Sequence, residues 1–163
     1  MILIDTNILV YAIQEDAPQH EASRRLVEAA QAGNPIACVF PQNLIEFFAV
    51  ITDPRRLENP ATTAEALDLL EQFGTMLPVL QPSSDAPSRL TSLARSLEVR
   101  AQRIFDCYLV AQMEEVGVET ICTYNTKDFT GYPVNVRTPE EILKSLTGDT
   151  PSIVQDKKRG RQG

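Results

Sequence analysis

Four carboxylates of this sequence lie inside an apolar stretch or shortly after one: Asp5, Glu46, Asp106 and Asp128. An acid within an apolar helix surface costs free energy unless it is paired or bound to a metal. If the four acids converge, their repulsion raises their pKa values, and a divalent cation relieves it. Carboxylate oxygens suit Mg²⁺ or Mn²⁺, and such ions activate water and stabilise developing phosphoryl charge. The residue types therefore indicate metal-dependent phosphoryl chemistry, although spacing along one chain does not establish convergence.

Each acid also has a purely structural interpretation, which stays open at this point. Asp5 can be the N-cap of the helix that follows it, and Asp106 can be a first-turn acid that favours the helix dipole. Glu46 shares a helical stripe with other polar residues and can simply face water. Asp128 suits an ordinary turn. Taken singly, each structural interpretation is at least as good as the functional one, but the group of four is harder to dismiss.

The elements that must position these acids alternate between short apolar runs and amphipathic helices. Five runs predict strands, at residues 2–4, 36–39, 78–80, 120–123 and 134–136. Helical spacing, two capping boxes and closing glycines predict helices that begin near residues 7, 18, 41, 62, 90, 104 and 138. This alternation predicts an α/β fold with a mostly parallel sheet. Ligands of such sheets bind beyond the carboxyl ends of the strands, where Asp5 and Asp128 lie.

Length and charge set broad limits. The 163 residues favour a single domain, and we expect it to span residues 1–147. Residues 148–163 are polar, basic and without periodicity, which predicts a disordered tail. The formal net charge of −7 argues against indiscriminate nucleic-acid binding. Solvated helix faces explain this acidity at least as well as a carboxylate cluster does.

Several function classes are disfavoured by what the sequence lacks. The three cysteines are far apart in apolar segments, which predicts buried thiols in a reducing, cytoplasmic compartment rather than disulfides or a zinc site. With no apolar stretch of about 18 residues and no basic region at the first residues, we expect neither membrane association nor a secretory signal. His20 is the only histidine, which excludes a two-histidine ribonuclease mechanism, and we expect it on an exposed helix face. A glycine-rich phosphate loop is also absent.

Four segments resemble the PIN domain in their order and spacing: residues 2–7, 43–46, 105–111 and 123–129. Each segment carries one of the four acids. Within PIN proteins, the chain is similar to the VapC-type ribonuclease toxins of bacterial toxin–antitoxin modules, and the stretch 52–60 also resembles a VapC subgroup. The resemblance covers about residues 1–146. Any one motif is weak, but four in order make a fairly strong signal.

The resemblance implies a three-layer α/β/α sandwich around a mostly parallel five-stranded sheet, with the four acids meeting at its carboxyl edge. It makes these acids ligands of Mg²⁺ (or Mn²⁺), directly or through water. Thr6 and Asn7 match polar positions beside the first acid. Asn125 falls where many relatives carry Asp and others Asn. It can orient water or substrate but adds no charge, so tight binding of a second metal is not implied.

The reaction that the resemblance implies is hydrolysis of an RNA phosphodiester by metal-activated water, leaving a 5′-phosphate and a 3′-hydroxyl. Candidate residues for gripping RNA phosphates are Arg55, Arg56, Arg100 and Arg103. A solvated surface with local salt bridges explains these arginines equally well. Arg103 is the best candidate because it lies one turn before Asp106. Tyr11 and Phe129 can stack on bases, although core packing is the safer interpretation.

The leading hypothesis is a VapC-like endoribonuclease toxin that pairs as a homodimer and is silenced by a small antitoxin covering its cleft. Three alternatives stay open. They are a stand-alone PIN nuclease for RNA processing, a non-catalytic module that binds RNA or protein, and a small phosphatase-like enzyme or nucleotide hydrolase. The four intact acids argue against the binding module. Testing mononucleotides beside RNA separates the last alternative from the nucleases.

Overall fold

One parallel sheet organises the computed structural model, which describes residues 1–31 and 36–147. Its strands are β1 (Ile2–Ile4), β2 (Ala37–Cys38), β3 (Thr120–Cys122) and β4 (Asn135–Arg137). They lie in the order β2-β1-β3-β4, and every neighbouring pair is parallel. The register pairs Ile4 with Cys122, so the residues that follow them, Asp5 and Thr123, emerge side by side at the carboxyl edge.

The segment at residues 78–80 does not form the predicted strand, so the prediction of a five-stranded sheet is wrong and the described residues form a four-stranded one. Val79 makes a single parallel bridge to Val39. The Val39 N–H donates to the Pro78 carbonyl at 3.0 Å, and the Leu80 N–H donates to the Val39 carbonyl at 2.9 Å. Pro78 and Pro82 flank the bridge, and neither has an N–H with which to extend a ladder. The predicted α/β class with a parallel sheet is confirmed.

Helices occupy the intervals in which the sequence predicts them. Within the described ranges they are α1 (Thr6–Ile13), α2 (His20–Gln31), α3 (Pro41–Ile51), α4 (Thr63–Met76), α5 (Ala86–Ser96), α6 (Arg103–Val116) and α7 (Pro139–Thr147). Pro41 opens α3 at its first position. The capping box of Thr62 and Glu65 opens α4, and Gly117, with a φ of 71°, closes α6. A 3₁₀ turn at Thr126–Phe129 is a feature that the sequence pattern does not predict.

Successive strand residues pack on opposite faces of the sheet. One face contributes to a core shared with α1, α2, α3, α4 and α7, through Ile4, Ala37, Val39 and Cys122. The other face contributes to a core shared with α5 and α6, through Leu3, Cys38, Phe40 and Ile121. Helices therefore cover both faces, which is the arrangement of a three-layer α/β/α sandwich.

Several local predictions have clear outcomes. The three cysteines are free and buried, at Cys38, Cys107 and Cys122. His20 is half-buried rather than exposed, with Nδ1 at 3.0 Å from the Tyr11 carbonyl oxygen, where α1 ends. The predicted helix end at Gly33 and the predicted tail at residues 148–163 lie outside the described residues. Across residues 1–31 and 36–147, no helix combines the length and the apolar character needed to cross a membrane.

Candidate active site

The carboxyl edge of the sheet opens into a cleft of about 240 Å³ that four carboxylates line, and each comes from a different element. Asp5 follows β1, Glu46 lies on α3, Asp106 lies in the first turn of α6, and Asp128 lies in the 3₁₀ turn after β3. The polar residues nominated beside them line the same cleft: Thr6, Asn7 and Asn125. The structure therefore places the four segments of the sequence around one space.

The structural interpretations of these acids also hold, and they do not compete with a shared site. Asp5 is the N-cap of α1 and accepts a hydrogen bond from the Thr6 N–H. Asp106 is a first-turn acid of α6, and Glu46 is exposed on α3. The helices begin at the carboxyl edge of the sheet, so a residue at or near a helix start is also a residue at the cleft.

The Asp5 carboxylate is held by three donors. Its Oδ1 accepts from the Thr6 N–H at 2.7 Å. Its Oδ2 accepts from the Asn7 side-chain amide at 2.7 Å and from the Thr123 hydroxyl at 2.6 Å. These bonds leave little freedom for the Asp5 side chain, which is only 9% exposed.

Thr123 is a site residue that the sequence reasoning missed. Its hydroxyl accepts from the Asn7 amide at 2.8 Å and from the Asn125 N–H at 2.9 Å, while it donates to Asp5. The Tyr124 N–H donates to the side-chain Oδ1 of Asn7 at 3.3 Å. Its place as a polar residue at the end of an apolar run, and as the first residue of the segment 123–129 that carries Asp128, is the signal that marks it in the sequence.

Thr6 connects the Asp5 region to Glu46. The Thr6 hydroxyl lies 3.2 Å from Glu46 Oε2, a distance at which it donates a hydrogen bond. Thr6 is buried, and Glu46 is exposed. The first polar residue after Asp5 therefore orients a second acid that lies 40 residues further along the chain.

In the described residues, Asp106 and Asp128 lack hydrogen-bond donors like those that orient the Asp5 carboxylate. Among residues 1–31 and 36–147, neither carboxylate accepts a hydrogen bond, whereas the Asp5 carboxylate accepts three. Asp106 is partly buried, and Asp128 is exposed. Only the backbone fixes Asp128, through its N–H, which donates to the Asn125 carbonyl at 3.0 Å. We call Asp5 with its three donors the β1 side of the cleft, and Asp106 with Asp128 the α6 side.

The acids influence one another electrostatically. Burial raises the pKa of Asp5 from its ordinary 3.8 to about 6 despite the lowering effect of its hydrogen bonds, and the charges of Glu46 and Asp106 add to the rise. Burial likewise raises the pKa of Asp106 to about 6, helped by the charges of Asp128 and Glu46 and opposed by Arg103. Neighbouring acids therefore disfavour the ionisation of Asp5 and of Asp106, an effect that a bound cation would reverse.

The donor set suits a hard divalent cation, although the described chain does not present a closed metal site. Within residues 1–31 and 36–147, no three histidine, cysteine or acidic side chains are already arranged to hold one ion. The cleft nevertheless offers carboxylate oxygens from four elements and no thiolate or imidazole, which is the chemistry that Mg²⁺ and Mn²⁺ prefer. Mg²⁺ commonly keeps several waters and few direct carboxylates, so an open arrangement fits it.

A pair of glutamines joins α3 to α6 behind the acids, and sequence reasoning assigns neither of them to the site. The Gln112 amide donates to Gln42 Oε1 at 2.7 Å, and the Gln42 amide donates to the Phe105 carbonyl at 3.0 Å. Gln112 is 1% exposed, and Gln42 lines the cleft. Glu46 lies one turn after Gln42 and Asp106 directly follows Phe105, so this relay of hydrogen bonds connects the two segments that carry these acids.

The candidate arginines are placed differently from one another. Arg55 forms two short bonds with Asp53, both at 2.9 Å, and its side chain is 88% exposed. Arg56 approaches Asp53 only to 3.8 Å, and it lines the cleft. Arg103 lies 5.7 Å from the centre of the Tyr132 ring and is close enough to Asp106 to lower its pKa. Arg100 is exposed and does not line the cleft.

The two candidate stacking residues also differ. Phe129 is 2% exposed and belongs to the core on the α6 face of the sheet, so core packing is its main role. Tyr11 is half-buried and lines the cleft. Its ring packs edge-on against Tyr124, with centroids 5.5 Å apart.

A model of the PIN domain family matches residues 2–133 of this chain. Ribonuclease VapC24 of Mycobacterium tuberculosis is 28% identical over 134 residues, which cover 81% of this chain and 91% of that protein. Ribonuclease VapC48 of the same organism is 27% identical over 139 residues, which cover 83% of this chain and 94% of that protein. The resemblance carried by the four acidic segments is therefore confirmed.

Solved structures share the fold. VapC20 of Mycobacterium tuberculosis, described as a toxin that cleaves the sarcin–ricin loop, matches with a TM-score of 0.61 and 18% identity over 84% of this chain and 99% of that one. VapBC2 from Rickettsia felis, bound to a fragment of its promoter DNA, matches with a TM-score of 0.62 and 17% identity over 85% of this chain and 98% of that one. At these identities the likeness establishes the fold.

Proposed function

We propose that this chain, which belongs to the PIN domain family, is a divalent-metal-dependent endoribonuclease that acts as a VapC-type toxin. One observation carries the proposal: four carboxylates from four separate elements line one cleft. Capping and solvation explain each acid singly, but they give no reason for all four to face the same space. The relatives VapC24 and VapC48, both named ribonucleases, supply the substrate class.

The metal ligands that we propose are Asp5, Glu46, Asp106 and Asp128, directly or through water. Mg²⁺ or Mn²⁺ bound there would supply activated water and positive charge beside the phosphoryl group. The β1 side presents its carboxylate already oriented by hydrogen bonds. The α6 side keeps the lone pairs of its carboxylates free for an ion or its waters.

The protein's own contribution to the reaction is placement. A water molecule gives up a proton to the solvent as its oxygen forms a bond to phosphorus, while the bond from phosphorus to O3′ breaks. The leaving 3′-oxyanion takes up a proton to become a 3′-hydroxyl, and the phosphate stays on the 5′ end of the other product. Asn125 is exposed at the cleft, where its amide can donate to a phosphate oxygen or hold the water. Arg103 and Arg56 are suited to grip the flanking phosphates. Arg55 remains a weaker candidate because Asp53 already engages its guanidinium.

We propose further that a small antitoxin covers the cleft and that the toxin forms a homodimer. The support for an antitoxin is that the structural neighbours include a toxin–antitoxin complex from Klebsiella pneumoniae and FitAcB from Neisseria gonorrhoeae. The chemistry of the cleft is consistent with such a partner, because a cationic side chain inserted among its acids relieves the same repulsion as a metal does.

The test is cleavage of an end-labelled structured RNA by protein stripped of metal with EDTA and dialysed. We expect no cleavage until Mg²⁺ or Mn²⁺ is restored, and products that carry 5′-phosphate ends. The variant Asp106→Asn should be inactive with either metal, whereas the matched control Asp68→Asn, an exposed acid on α4, should cleave like the wild type. Mononucleotides are assayed in parallel.

Each result decides between the alternatives. Cleavage that survives both EDTA and Asp106→Asn contradicts the assigned site. Hydrolysis of mononucleotides in preference to RNA favours a nucleotide hydrolase. Growth arrest on expression, abolished by Asp106→Asn and reversed by coexpression of a small neighbouring gene, supports the toxin. RNA cleavage in vitro without growth arrest favours a stand-alone RNA-processing nuclease.

A further inference from the structure

We propose that the part of the cleft that extends past Asn7 on α1 and past Glu46 on α3 binds one unpaired nucleobase beside the scissile phosphate. Five residues form this part, which we call the limb: Val10, Tyr11, Gln14, Val50 and Arg56. In the proposed complex, Tyr11 stacks on the base, Gln14 hydrogen-bonds to its edge and Arg56 holds the adjoining phosphate. The proposal rests on the ribonuclease function proposed above and names a base-reading subsite within it.

The α1 residues of the limb lie on the same helix face as Asn7, which contacts Asp5. Asn7, Val10, Tyr11 and Gln14 all line the cleft, and their spacing of three, four and seven residues puts them on one helix face. The face begins at Asn7, which donates to Asp5. Moving along it therefore leads from the reacting centre to Tyr11 and Gln14 within two helical turns, or roughly 10 Å. That is the scale of one nucleotide step rather than of a distant surface.

The facing wall of the limb comes from α3 and the segment after it. Gln42, Glu46 and Val50 line the cleft at four-residue spacing, so they share one face of α3. Val10 and Val50 give the limb apolar walls, and Val10 is only 7% exposed. Gln14 and Arg56 provide polar groups. Apolar walls with a few directed polar groups are the composition of a site for a flat heterocycle.

Tyr11 is suited to stacking because its ring is held but not enclosed. The ring packs edge-on against Tyr124 at 5.5 Å, and the Tyr11 carbonyl is tied to His20 Nδ1 at 3.0 Å. Tyr124 in turn donates a hydrogen bond to Glu140 at 2.7 Å. A half-buried ring fixed in this way loses little conformational freedom when a base stacks on it.

The two neighbouring arginines show which one is available to the RNA. Asp53 engages the Arg55 guanidinium through two bonds of 2.9 Å. Arg56 comes no closer to Asp53 than 3.8 Å and keeps a 61% exposed side chain. Only Arg56 of the pair lines the cleft. Arg56 follows α3, whose cleft-lining residues run from Gln42 to Val50, so its charge suits a phosphate one step from the reacting centre.

The volume of the cleft and the hydrogen-bonding groups of Gln14 indicate which base the limb binds. The cleft volume of about 240 Å³ is below the roughly 300–1,000 Å³ of pockets that enclose drug-sized ligands, so it accommodates one nucleotide and not a folded RNA element. The Gln14 amide offers a donor and an acceptor side by side, and adenine presents a matching pair on both its Hoogsteen edge (N7 and N6) and its Watson–Crick edge (N1 and N6). The Hoogsteen edge of guanine carries two acceptors, and the pyrimidines match on the Watson–Crick edge alone. We therefore expect adenine to be the preferred base.

The experiment uses a single-stranded RNA library with random central positions, cleaved with Mn²⁺ and sequenced at the new ends. The wild type should enrich adenine at one position beside the cut. Gln14→Leu should flatten the base preference at that position alone, with roughly tenfold lost discrimination, while Gln72→Leu, on the exposed face of α4, should leave the whole profile unchanged. A variant that is merely damaged cuts more slowly with the same profile.

A binding measurement tests Tyr11 without cleavage. Single-stranded RNA carrying one 2-aminopurine, which is quenched by stacking and lacks the N6 amino group of adenine, is titrated with Asp106→Asn protein in Mg²⁺, so the titration reports stacking on Tyr11 and not the Gln14 bond to N6. Adding Tyr11→Leu should remove the quenching and weaken binding roughly tenfold, whereas Tyr11→Phe should retain both. Arg56→Ala should weaken binding more than Arg55→Ala does.

The outcomes separate this inference from the proposed function. Cleavage with an identical base profile in the wild type and Gln14→Leu overturns the limb and leaves the nuclease standing. Quenching that is unchanged by Tyr11→Leu also overturns the limb. Failure of the wild type to cut any member of the library, while it still cuts the structured RNA, overturns the limb alone. Failure to cut either RNA overturns the nuclease, and the limb with it.

Discussion

On the β1 side of the cleft, the Asp5 carboxylate accepts three hydrogen bonds and is 9% exposed. On the α6 side, the described residues donate no hydrogen bond to Asp106 or Asp128, and Asp128 is exposed. Both sides nevertheless carry an acid whose pKa is raised to about 6. The same electrostatic outcome therefore arises in a preorganised setting and in an open one.

This difference shows that the two sides of the cleft are suited to different roles in binding an ion. The Asp5 carboxylate is oriented by hydrogen bonds before any ion binds. Burying this charged group costs free energy, which the rest of the folded protein must offset. Carboxylates without donors keep their lone pairs available, so their final geometry is set by what binds. The carboxylate of the β1 side is therefore fixed in orientation, whereas the carboxylates of the α6 side can reorient when an ion binds. Each prediction below changes one side and compares the response of the other.

The largest effect should come from removing one acid on each side. Asp5→Asn and Asp106→Asn should each lower cleavage by at least about 10²-fold, since even outer partners of metal ligands are worth 10–100-fold. Their metal-free stabilities near neutral pH should differ. Both variants escape the burial and repulsion that raise the two pKa values, but Asp5→Asn also turns an amide toward the Thr123 and Asn7 donors, which should cost roughly 1–3 kcal/mol. Asp106→Asn loses no hydrogen bond, so it should be the more stable of the two.

The measurement is thermal unfolding of both variants in EDTA, with Asp68→Asn as the exposed control. Equal destabilisation by the two variants would show that the two sides do not differ as described.

The next effect is on the pH dependence of metal-free stability. The folded pKa of Asp5 is raised from 3.8 to about 6, so the folded state keeps a proton that the unfolded chain releases. Asp5 therefore makes its full contribution to the free energy of unfolding below about pH 4, and this contribution is lost as the pH rises through 6. The loss amounts to roughly 3 kcal/mol at most. Asp106 contributes less because solvent screens it.

Urea unfolding in EDTA at about pH 4.5 and about pH 7.5 tests this sign. Asp53 does not interfere, because Arg55 lowers its pKa to about 2 and its window lies below this range. Mn²⁺ added at the higher pH should restore stability because it binds the folded state. A metal-free protein that is more stable at the higher pH would argue against the raised Asp5 pKa.

The parts of the molecule that follow from local rules are predictable from sequence. The capping box at Thr62 and the closing glycine at Gly117 involve residues within one turn of each other, and both are confirmed. The placement of Asp5 and Asp128 follows from one further rule, that parallel strands end at the same edge of a sheet, whereas only the family resemblance placed Glu46 and Asp106 with them. The apolar pattern of residues 78–80 predicts a strand, but the segment forms only a single bridge. Pro78 and Pro82 have no N–H group with which to extend it into a strand.

Contacts between distant segments were not predictable. Thr123 reaches Asp5 across 118 positions, and only the register of β1 against β3 brings them together. Gln42 and Gln112 are separated by 70 positions, and no periodicity relates one helix to another. Hydrogen bonds of this kind depend on how elements pack, which a single sequence does not encode in any local pattern.

The Thr123 contact yields a prediction about the β1 side. Thr123→Val keeps the shape of the side chain and removes its donor to Asp5, so Mn²⁺ affinity and cleavage should fall by roughly 10–100-fold. Thr123→Ser restores the hydroxyl and should recover most of both. Thr120→Val, on the same strand, is the control. If Thr123→Val and Thr123→Ser are equally impaired, the hydroxyl is not what matters there.

The smallest effect concerns the α6 side and its link to α3. Gln112→Met fills the same buried space but no longer donates to Gln42, so the spacing of Glu46 and Asp106 should loosen. We expect Mn²⁺ affinity to fall about threefold to tenfold, at the low end for partners that orient metal ligands. Asp5 should be unaffected, since no bond connects it to the relay in the described residues.

A double-mutant cycle distinguishes this positioning role from general destabilisation. In an Asp106→Asn background, Gln112→Met should have little further effect on Mn²⁺ affinity, because the acid that it positions is already gone. In a Thr123→Val background, it should retain its full effect, because that variant weakens the other side. Equal effects in both backgrounds would mean that Gln112 supports the fold as a whole, and the α6 side would then be adaptable without any dedicated restraint from α3.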